Sequence, residues 1–400
     1  MVPVVVVNAS LNALGVIRSV ARGGMPIYLV TPTRRDPAAW SRFCRCERVR
    51  SLDGHDLIAG LISLSRRIGQ RPVLILTSDA EVETISAFRE ELAPFFRVSL
   101  PSKEMVRTLA DKTLFQRFAE AEGFPIPRAI VVSDTSSLSL LRTLTLPVVI
   151  KPGDKTLVLD GRVERAVRAD TLEHANTAAG RMLKCAQRLV VQEWIDGADS
   201  DIYFTLFTRD SSSGATTIFS GRKLVCDPPA VGTTAICIAA PEAAAELEAI
   251  STQFISRTGY QGIGSLEFKR SRESGRIMII EPTVGRTDWQ EEVATLCGIN
   301  IPLITYWGEL GVPMPNVASQ TGQVAWRSSM RHRIPPDSLP PGARTIDGYF
   351  RLSDPLPGLY HYVIKEFVER LYCKTRRLLG DSGRALPSAR KQPALRSNKL

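Results

Sequence analysis

Histidine is nearly absent from this chain, with four in 400 residues, and the seven cysteines are scattered. No histidine stands at zinc-ligand spacing from the one close cysteine pair, Cys44-x-Cys46, which argues against a structural zinc. An odd cysteine count without framework spacing reads as reduced, cytosolic thiols. No apolar run approaches the ~18 residues of a membrane span. The opening MVPVVVVNAS lacks the basic flank and small-residue cleavage site of a secretory signal, so Val4 to Val7 is expected as a buried strand. The turn after it, Asn8 to Gly15, holds a single glycine and is no dinucleotide fingerprint. Repeats of solenoid length are also missing.

What is present is the composition of a globular protein, 44% hydrophobic and 23% charged. The net charge of +10 is uneven. From His361 to Leu400 there are ten Lys/Arg against three Asp/Glu, so +7 lies in that tail and +3 in the other 360 residues. The basic balance is a tail property and gives no reason to expect nucleic-acid binding. Leu359 to Leu379 reads as a basic amphipathic helix suited to an anionic membrane surface or a partner, and Gly380 to Leu400 as disordered.

The first hundred residues alternate strand and helix: Val4–Asn8, Leu11–Gly23, Pro26–Thr31, His55–Ile68, Pro72–Thr77 and Ala80–Leu92. That order is the start of a doubly wound α/β domain. Ser10, Asn12 and Asp79 fall at the carboxyl ends of its strands, where such sheets bind ligands. Arg18, one turn into the first helix, reads either as a surface group or as a substrate contact. A long helix is expected over Glu104–Gly123, then strands at Pro147–Lys151, Arg162–Arg168 and Arg188–Gln192, with a helix at Thr171–Cys185. Asp201–Thr208 and Thr216–Leu224 form an antiparallel pair, Asp227–Thr234 a loop, and Pro241–Thr258 a helix. After a hairpin, Trp289–Gly298 and Ile301–Leu310 close the series, and the chain beyond Gly311 is irregular with short strands.

The stretch Gly262 to Val293 carries the chemistry, as a strand with Glu267, a charged turn, and a second strand, Arg276 to Ile280, that ends on Glu281. Glu267 lies among Ile263, Leu266 and Phe268, and Glu281 follows Ile277–Ile280. Strand side chains alternate, so one carboxylate from each strand can share a face. A carboxylate set into apolar strands needs an opposite charge or a metal. Two of them with phosphate oxygens suit Mg²⁺. Lys151 closes the apolar strand PVVIK beside a turn, as a point charge for phosphate; a strand-end lysine reaching back to solvent is the plainer alternative.

Five features then stand in one order: Asp111-Lys112, PVVIKP, VVQEWIDG, the Glu267 strand and Glu281-x-Thr283-x-x-Arg286. This order resembles the ATP-grasp superfamily of carboxylate–amine and carboxylate–thiol ligases over about Val4 to Leu310. GRTDWQEEVATLCGINIP, from Gly285, is similar to D-aspartate-ligase-like and uncharacterised members. The resemblance implies an α/β fold with α+β character in the nucleotide part. A doubly wound pre-ATP-grasp domain, 1–102, precedes a two-lobed ATP-grasp domain, 103–311, split into 103–195 and 196–311. An extension, 312–379, and the tail, 380–400, follow.

By the same resemblance, Lys112 and Lys151 meet the α- and β-phosphates of ATP. Gln192, Glu193, Trp194 and Ile195 form the adenine hinge, with Trp194 as its cover, and Asp201, with Asp199 beside it, lies near the ribose. Glu267 and Glu281 hold Mg²⁺, with Mn²⁺ as a substitute, and Thr283 stands where the family usually has asparagine. Arg286 steadies the transferred phosphoryl group. Lys155 serves in a loop, Gly153–Gly161, that has two glycines where the family commonly has a glycine-rich lid. Arg222 and Lys223, with Gly232–Thr234, are candidates for the substrate carboxylate or the tetrahedral intermediate, Arg222 being placed among the catalytic groups.

The implied activity is ATP-dependent joining of a small carboxylate to an amine through an acyl-phosphate, in a cytoplasmic protein, peripheral at the inner membrane face if the tail docks there. A homodimer is common in such ligases. Thr283 and the glycine-poor loop favour the alternative, an ATP-binding regulator or scaffold with weak or no turnover. A nicotinamide oxidoreductase is disfavoured by the missing fingerprint.

Overall fold

The computed structural model describes residues 1–153, 163–312, 324–335 and 338–365. Its architecture is mixed α/β, as expected. The N-terminal sheet has the order β3-β2-β1-β4, all parallel: β1 (Val4–Val7), β2 (Ile27–Thr31), β3 (Arg45–Arg48) and β4 (Val73–Ile75). The four valines of β1 are inaccessible on both faces, the pattern of a central parallel strand. Helix α1 (Leu11–Ala21) packs on one face. Its N-terminus is capped by Ser10, whose hydroxyl accepts from Ala13 N at 3.3 Å. Helices α2 (Gly54–Ile68) and α3 (Asp79–Ala87), with the single turn α4 (Arg89–Leu92), lie toward the other.

The helix expected over Glu104–Gly123 is two helices, α5 (Lys103–Ala110) and α6 (Lys112–Ala121). Asp111 breaks it with an extended backbone, and its carboxylate caps α6 by accepting from Thr113 N (2.7 Å) and Leu114 N (3.0 Å). Periodicity could not reveal this, because the apolar stripe continues across the break; an N-capping aspartate was the local sign. The break makes Lys112 the first residue of α6, and its backbone N–H donates to Gly153 O at 3.4 Å, beside the end of the Lys151 strand.

That strand belongs to an antiparallel sheet ordered β5-β8-β6-β7: β5 (Ala129–Val132), β6 (Val148–Pro152), β7 (Val167–Ala169) and β8 (Leu189–Glu193), covered by α7 (Leu172–Met182). Only the end of the strand read as Arg162–Arg168 is seen as such, in β7. A seven-stranded sheet follows, ordered β13-β12-β9-β10-β11-β14-β15. The expected pair is β9 (Ile202–Arg209) and β10 (Thr216–Asp227). The loop read to Thr234 ends earlier, and β11 (Thr233–Ala239) returns from it as an unforeseen strand. Helix α8 (Ala244–Arg257) leads to the hairpin of β12 (Gly262–Arg270) and β13 (Ile277–Val284). Beyond α9 (Glu292–Leu296) and α10 (Ile301–Glu309), β14 (Val324–Arg327) and β15 (Arg344–Asp347) extend the sheet.

Arg18 is neither a surface group nor open to a substrate. It is 7% exposed, and its guanidinium donates to Asp354 Oδ2 (3.1 Å), Gly348 O (2.7 Å) and Tyr349 O (2.7 Å). Glu292 lies 3.8 Å away and also binds Arg351, so a buried ionic knot ties α1, α9 and residues 347–354 together. The described residues end with α11 (Pro355–Leu359) and a π-helical turn, Tyr360–Lys365. Most of the expected Leu359–Leu379 helix and the whole Gly380–Leu400 tail lie outside the described residues.

Candidate nucleotide and metal site

β12 and β13 pair with Glu267 opposite Glu281 and Ser265 opposite Thr283. Residues two apart share a face, so all four lie on one side of the sheet. The second strand does not stop at Glu281, as the sequence suggested, but runs to Val284, which brings Thr283 into register. A bulge leaves Ile280 without a partner just before Glu281, and such bulges re-aim the side chains beside them.

Cations converge on this pair from separate elements. Lys223 on β10 reaches across β9 and sets Nζ 2.5 Å from Glu267 Oε2. Burial disfavours its charge, yet the attraction of Glu267 leaves the Lys223 pKa above the ordinary lysine value. Lys112 Nζ is 3.8 Å from Glu281 Oε1. Lys151 donates to Gln192 Oε1 at 2.9 Å. Desolvation pulls its pKa below the usual lysine range, against the opposing pull of Glu281 and Glu267. Lys112, Lys151, Gln192 and Glu281 line one cavity, whose apolar wall includes Leu109 and Phe115.

The segment Gln192–Ile195, expected as the hinge, is positioned by hydrogen bonds. Gln192 is 5% exposed, and its Nε2 donates to Gln116 Oε1 at 2.9 Å, which fixes the amide so that its oxygen meets Lys151. Glu193 turns away to accept from Thr145 N at 2.8 Å. The Trp194 ring lies 4.7 Å from Lys269 Nζ and 4.9 Å from the Arg168 guanidinium, within cation–π range of both. Ile195 follows it, half-buried. Asp201 pairs with Arg272 at 2.6 Å, while Asp199 accepts from Cys226 N and Ala230 N, both at 2.8 Å, and so holds the loop between β10 and β11.

Gly285 steers the chain after β13. Its φ is +69°, and a Cβ there would stand 2.7 Å from Leu100 and 2.8 Å from Val82, so the strand end closes onto these two side chains only with glycine. Arg286 is thereby aimed at Asp79 on α3, with Nε 2.7 Å from Oδ1. Burial works against its charge, but Asp79, followed by Asp288, raises its pKa above the ordinary arginine value. Asp288 lies 3.7 Å from the Arg286 guanidinium and accepts from Trp289 N. Asn12 donates to Thr287 Oγ1 (3.2 Å) and Asp288 O (2.5 Å). No spacing in the sequence announced Gln116, which acts across the chain on Gln192, while Asp288 acts locally on Arg286 and went unread.

Arg222 is the candidate that does not join. One residue from Lys223, it points to the opposite face of β10, where Nη1 is 3.6 Å from Glu242 Oε1. The strand period of two decides between the neighbours, and it favours the lysine. Of the loop candidates, Thr233 is exposed and Thr234 buried in β11. Lys155 lies outside the described residues.

The donor set fits a hard cation. Glu267, Glu281 and Thr283 offer only oxygen, as Mg²⁺ and Mn²⁺ prefer. Among the described residues no group of three or more His, Cys, Asp or Glu gathers where it could hold a metal ion.

No family model matches the chain. A D-aspartate ligase of Enterococcus faecium (strain Aus0004) is 21% identical over 285 residues, 66% of this chain and 67% of that protein. Among solved structures, the ADP complex of PurK, N5-carboxyaminoimidazole ribonucleotide synthetase, aligns with a TM-score of 0.64 at 14% identity over 80% of each chain. The N5-carboxyaminoimidazole synthetase of Staphylococcus aureus complexed with ADP gives 0.64 at 12% identity, again over 80% of each chain. Biotin carboxylase from Campylobacter jejuni gives 0.61 at 14% identity over 80% of this chain and 73% of that one. With the ordered motifs of its sequence folded into the architecture of these proteins, the chain has the ATP-grasp fold.

Proposed function

We propose that this chain is an ATP- and Mg²⁺-dependent ligase that activates a small carboxylate as an acyl-phosphate and joins it to an amine. The observation that carries the reading is the opposition of Glu267 and Glu281 on one sheet face, ringed by Lys112, Lys151 and Lys223. A cation held between these carboxylates, with Thr283 beside them, would supply charge neutralisation at the phosphates. Lys112 and Lys151 bind the phosphate chain, and Gln192 orients Lys151. The hinge from Gln192 to Ile195 takes the adenine, with Trp194 against it, and Asp201 faces the ribose.

A substrate carboxylate oxygen attacks the γ-phosphorus, and ADP leaves with the electron pair of the broken P–O bond. Arg286 and Lys223 balance the charge that spreads over the transferred group. The amine nitrogen then adds to the acyl carbon, and collapse of the tetrahedral intermediate expels phosphate as the nitrogen loses its proton. Fixed cationic donors beside the developing oxyanion lower that barrier most. D-Aspartate ligase supports the amino-acid class for one substrate through its likeness to this chain.

The test is ADP and phosphate release by the purified protein with Mg-ATP across arrays of amino acids, other carboxylates and amines. Glu281→Gln should retain the fold and lose release. If the wild type binds Mg-ATP and releases no ADP with any pair, the reading fails in favour of the ATP-binding regulator that Thr283 favours.

A further inference from the structure

Among the described residues eleven large apolar side chains are exposed, and five of them fall within Leu352–Ile364. Leu352, Leu356, Leu359, Val363 and Ile364 are between 46% and 91% exposed. Leu356, Leu359 and Val363 recur at intervals of three and four along α11 and the π-helical turn after it, the spacing of one helical face, and Leu352 lies in the turn that leads into α11. Single exposed apolar residues are ordinary, but a contiguous row marks an interaction surface.

The row is not the bare side of a loosely attached end. Tyr362 donates to Asp347 Oδ2 at 2.8 Å and accepts from Met330 N at 2.9 Å. His361 stacks on Tyr349 with ring centroids 3.6 Å apart, and Tyr360 stacks on Trp40 at 5.1 Å. These contacts fix the polar and aromatic side of the segment inward and leave the aliphatic side outward. Asp36 and Arg35 lie within electrostatic reach of Tyr360, and Lys365 and Arg331 within reach of His361, so the described cations reaching these two rings outnumber the one carboxylate. From Lys365 onward the sequence adds ten Lys/Arg against three Asp/Glu.

We propose that the face formed by Leu352, Leu356, Leu359, Val363 and Ile364 docks on an anionic lipid bilayer. Charge complementarity selects this occupant. A second copy of the chain would bring one +7 segment against another, whereas an acidic membrane surface offers opposite charge and an apolar layer together. Neither contribution suffices by itself, since stable peripheral binding takes two signals, and this end of the chain carries both. The inference is independent of the ligase reading.

The experiment is flotation of the full-length protein with phosphatidylcholine vesicles, with and without phosphatidylglycerol. The protein should float with the anionic vesicles only, and less so as salt is raised. Leu359→Glu combined with Val363→Glu should weaken partitioning by about tenfold or more, the scale of losing two buried aliphatic side chains. A cooperative thermal transition and circular dichroism spectrum matching the wild type would show that this variant is folded. Three results would each overturn the proposal: no flotation of the wild type, flotation of the variant equal to wild type, or a lipid-free dimer that the substitutions dissociate.

Discussion

Lys223 and Glu267 stand face to face across an intervening strand, nitrogen to oxygen at 2.5 Å, with the lysine side chain only 3% exposed. The neighbouring Arg222 looks as suitable in the sequence and lies on the other side of the sheet. Lys223→Ala should leave Glu267 without its buried partner, cost about 3 kcal/mol of stability, and abolish turnover. Arg222→Ala should change turnover by less than about threefold, as for a side chain outside the site. Chemical denaturation and phosphate release on the two variants separate the residues.

Asp79 on α3 holds Arg286, the arginine to which the proposed mechanism gives the transferred phosphoryl group, with Nε 2.7 Å from Oδ1. In Asp79→Asn the Arg286 guanidinium loses its charged acceptor, and kcat/KM should fall about ten- to a hundredfold, the range for one hydrogen bond to a charged group. An unchanged kcat/KM would separate Arg286 positioning from Asp79.

Thr283 shares its face with both glutamates. Thr283→Val removes the hydroxyl while keeping the shape, and should raise the Mg²⁺ concentration needed for half-maximal ADP release by about tenfold. Thr283→Asn, which offers an amide oxygen, should match the wild type or exceed it. A magnesium titration in which all three proteins coincide removes Thr283 from the metal site.

Glu291 is fully buried between α1 and α9, where its carboxylate accepts from Ser19 at 3.1 Å and from Thr295 at 3.3 Å. Burial, reinforced by Glu292, raises its pKa from 4.5 to about 8. Between those values the folded protein holds a proton that the unfolded chain has released. The stabilisation is therefore complete below the lower value and is lost as pH rises through the higher one, by up to about 1.4 kcal/mol per pH unit. Glu291→Gln should flatten that slope in denaturation measured from pH 5 to 9, and an equally steep slope in the variant would assign it elsewhere.

The resemblance was legible because its parts are local. A lysine closing PVVIK, a glutamate in GIGSLEFK and an arginine five residues after Glu281 are visible in one strand or turn at a time. The parallel N-terminal sheet was legible for the same reason, as an unbroken apolar strand and a capped helix. The break at Asp111 was less so, since its apolar stripe continues through both helices. The strand after the Pro- and Gly-rich loop was missed because TTAICIA lacks a polar alternation, being buried from Thr234 to Ala239.

The sequence by itself determined which residue types were present for phosphate, metal and hinge, and their order along the chain, because side-chain chemistry and strand periodicity are properties of short segments. Tertiary structure decided which of them meet. Lys223 rather than Arg222 reaches Glu267, Gln116 fixes the amide of Gln192, and Arg18 is sealed in an ionic knot with Asp354 and Glu292. Those choices depend on strand order and on groups tens to hundreds of residues apart, and only the packed sheet brings them within hydrogen-bonding distance.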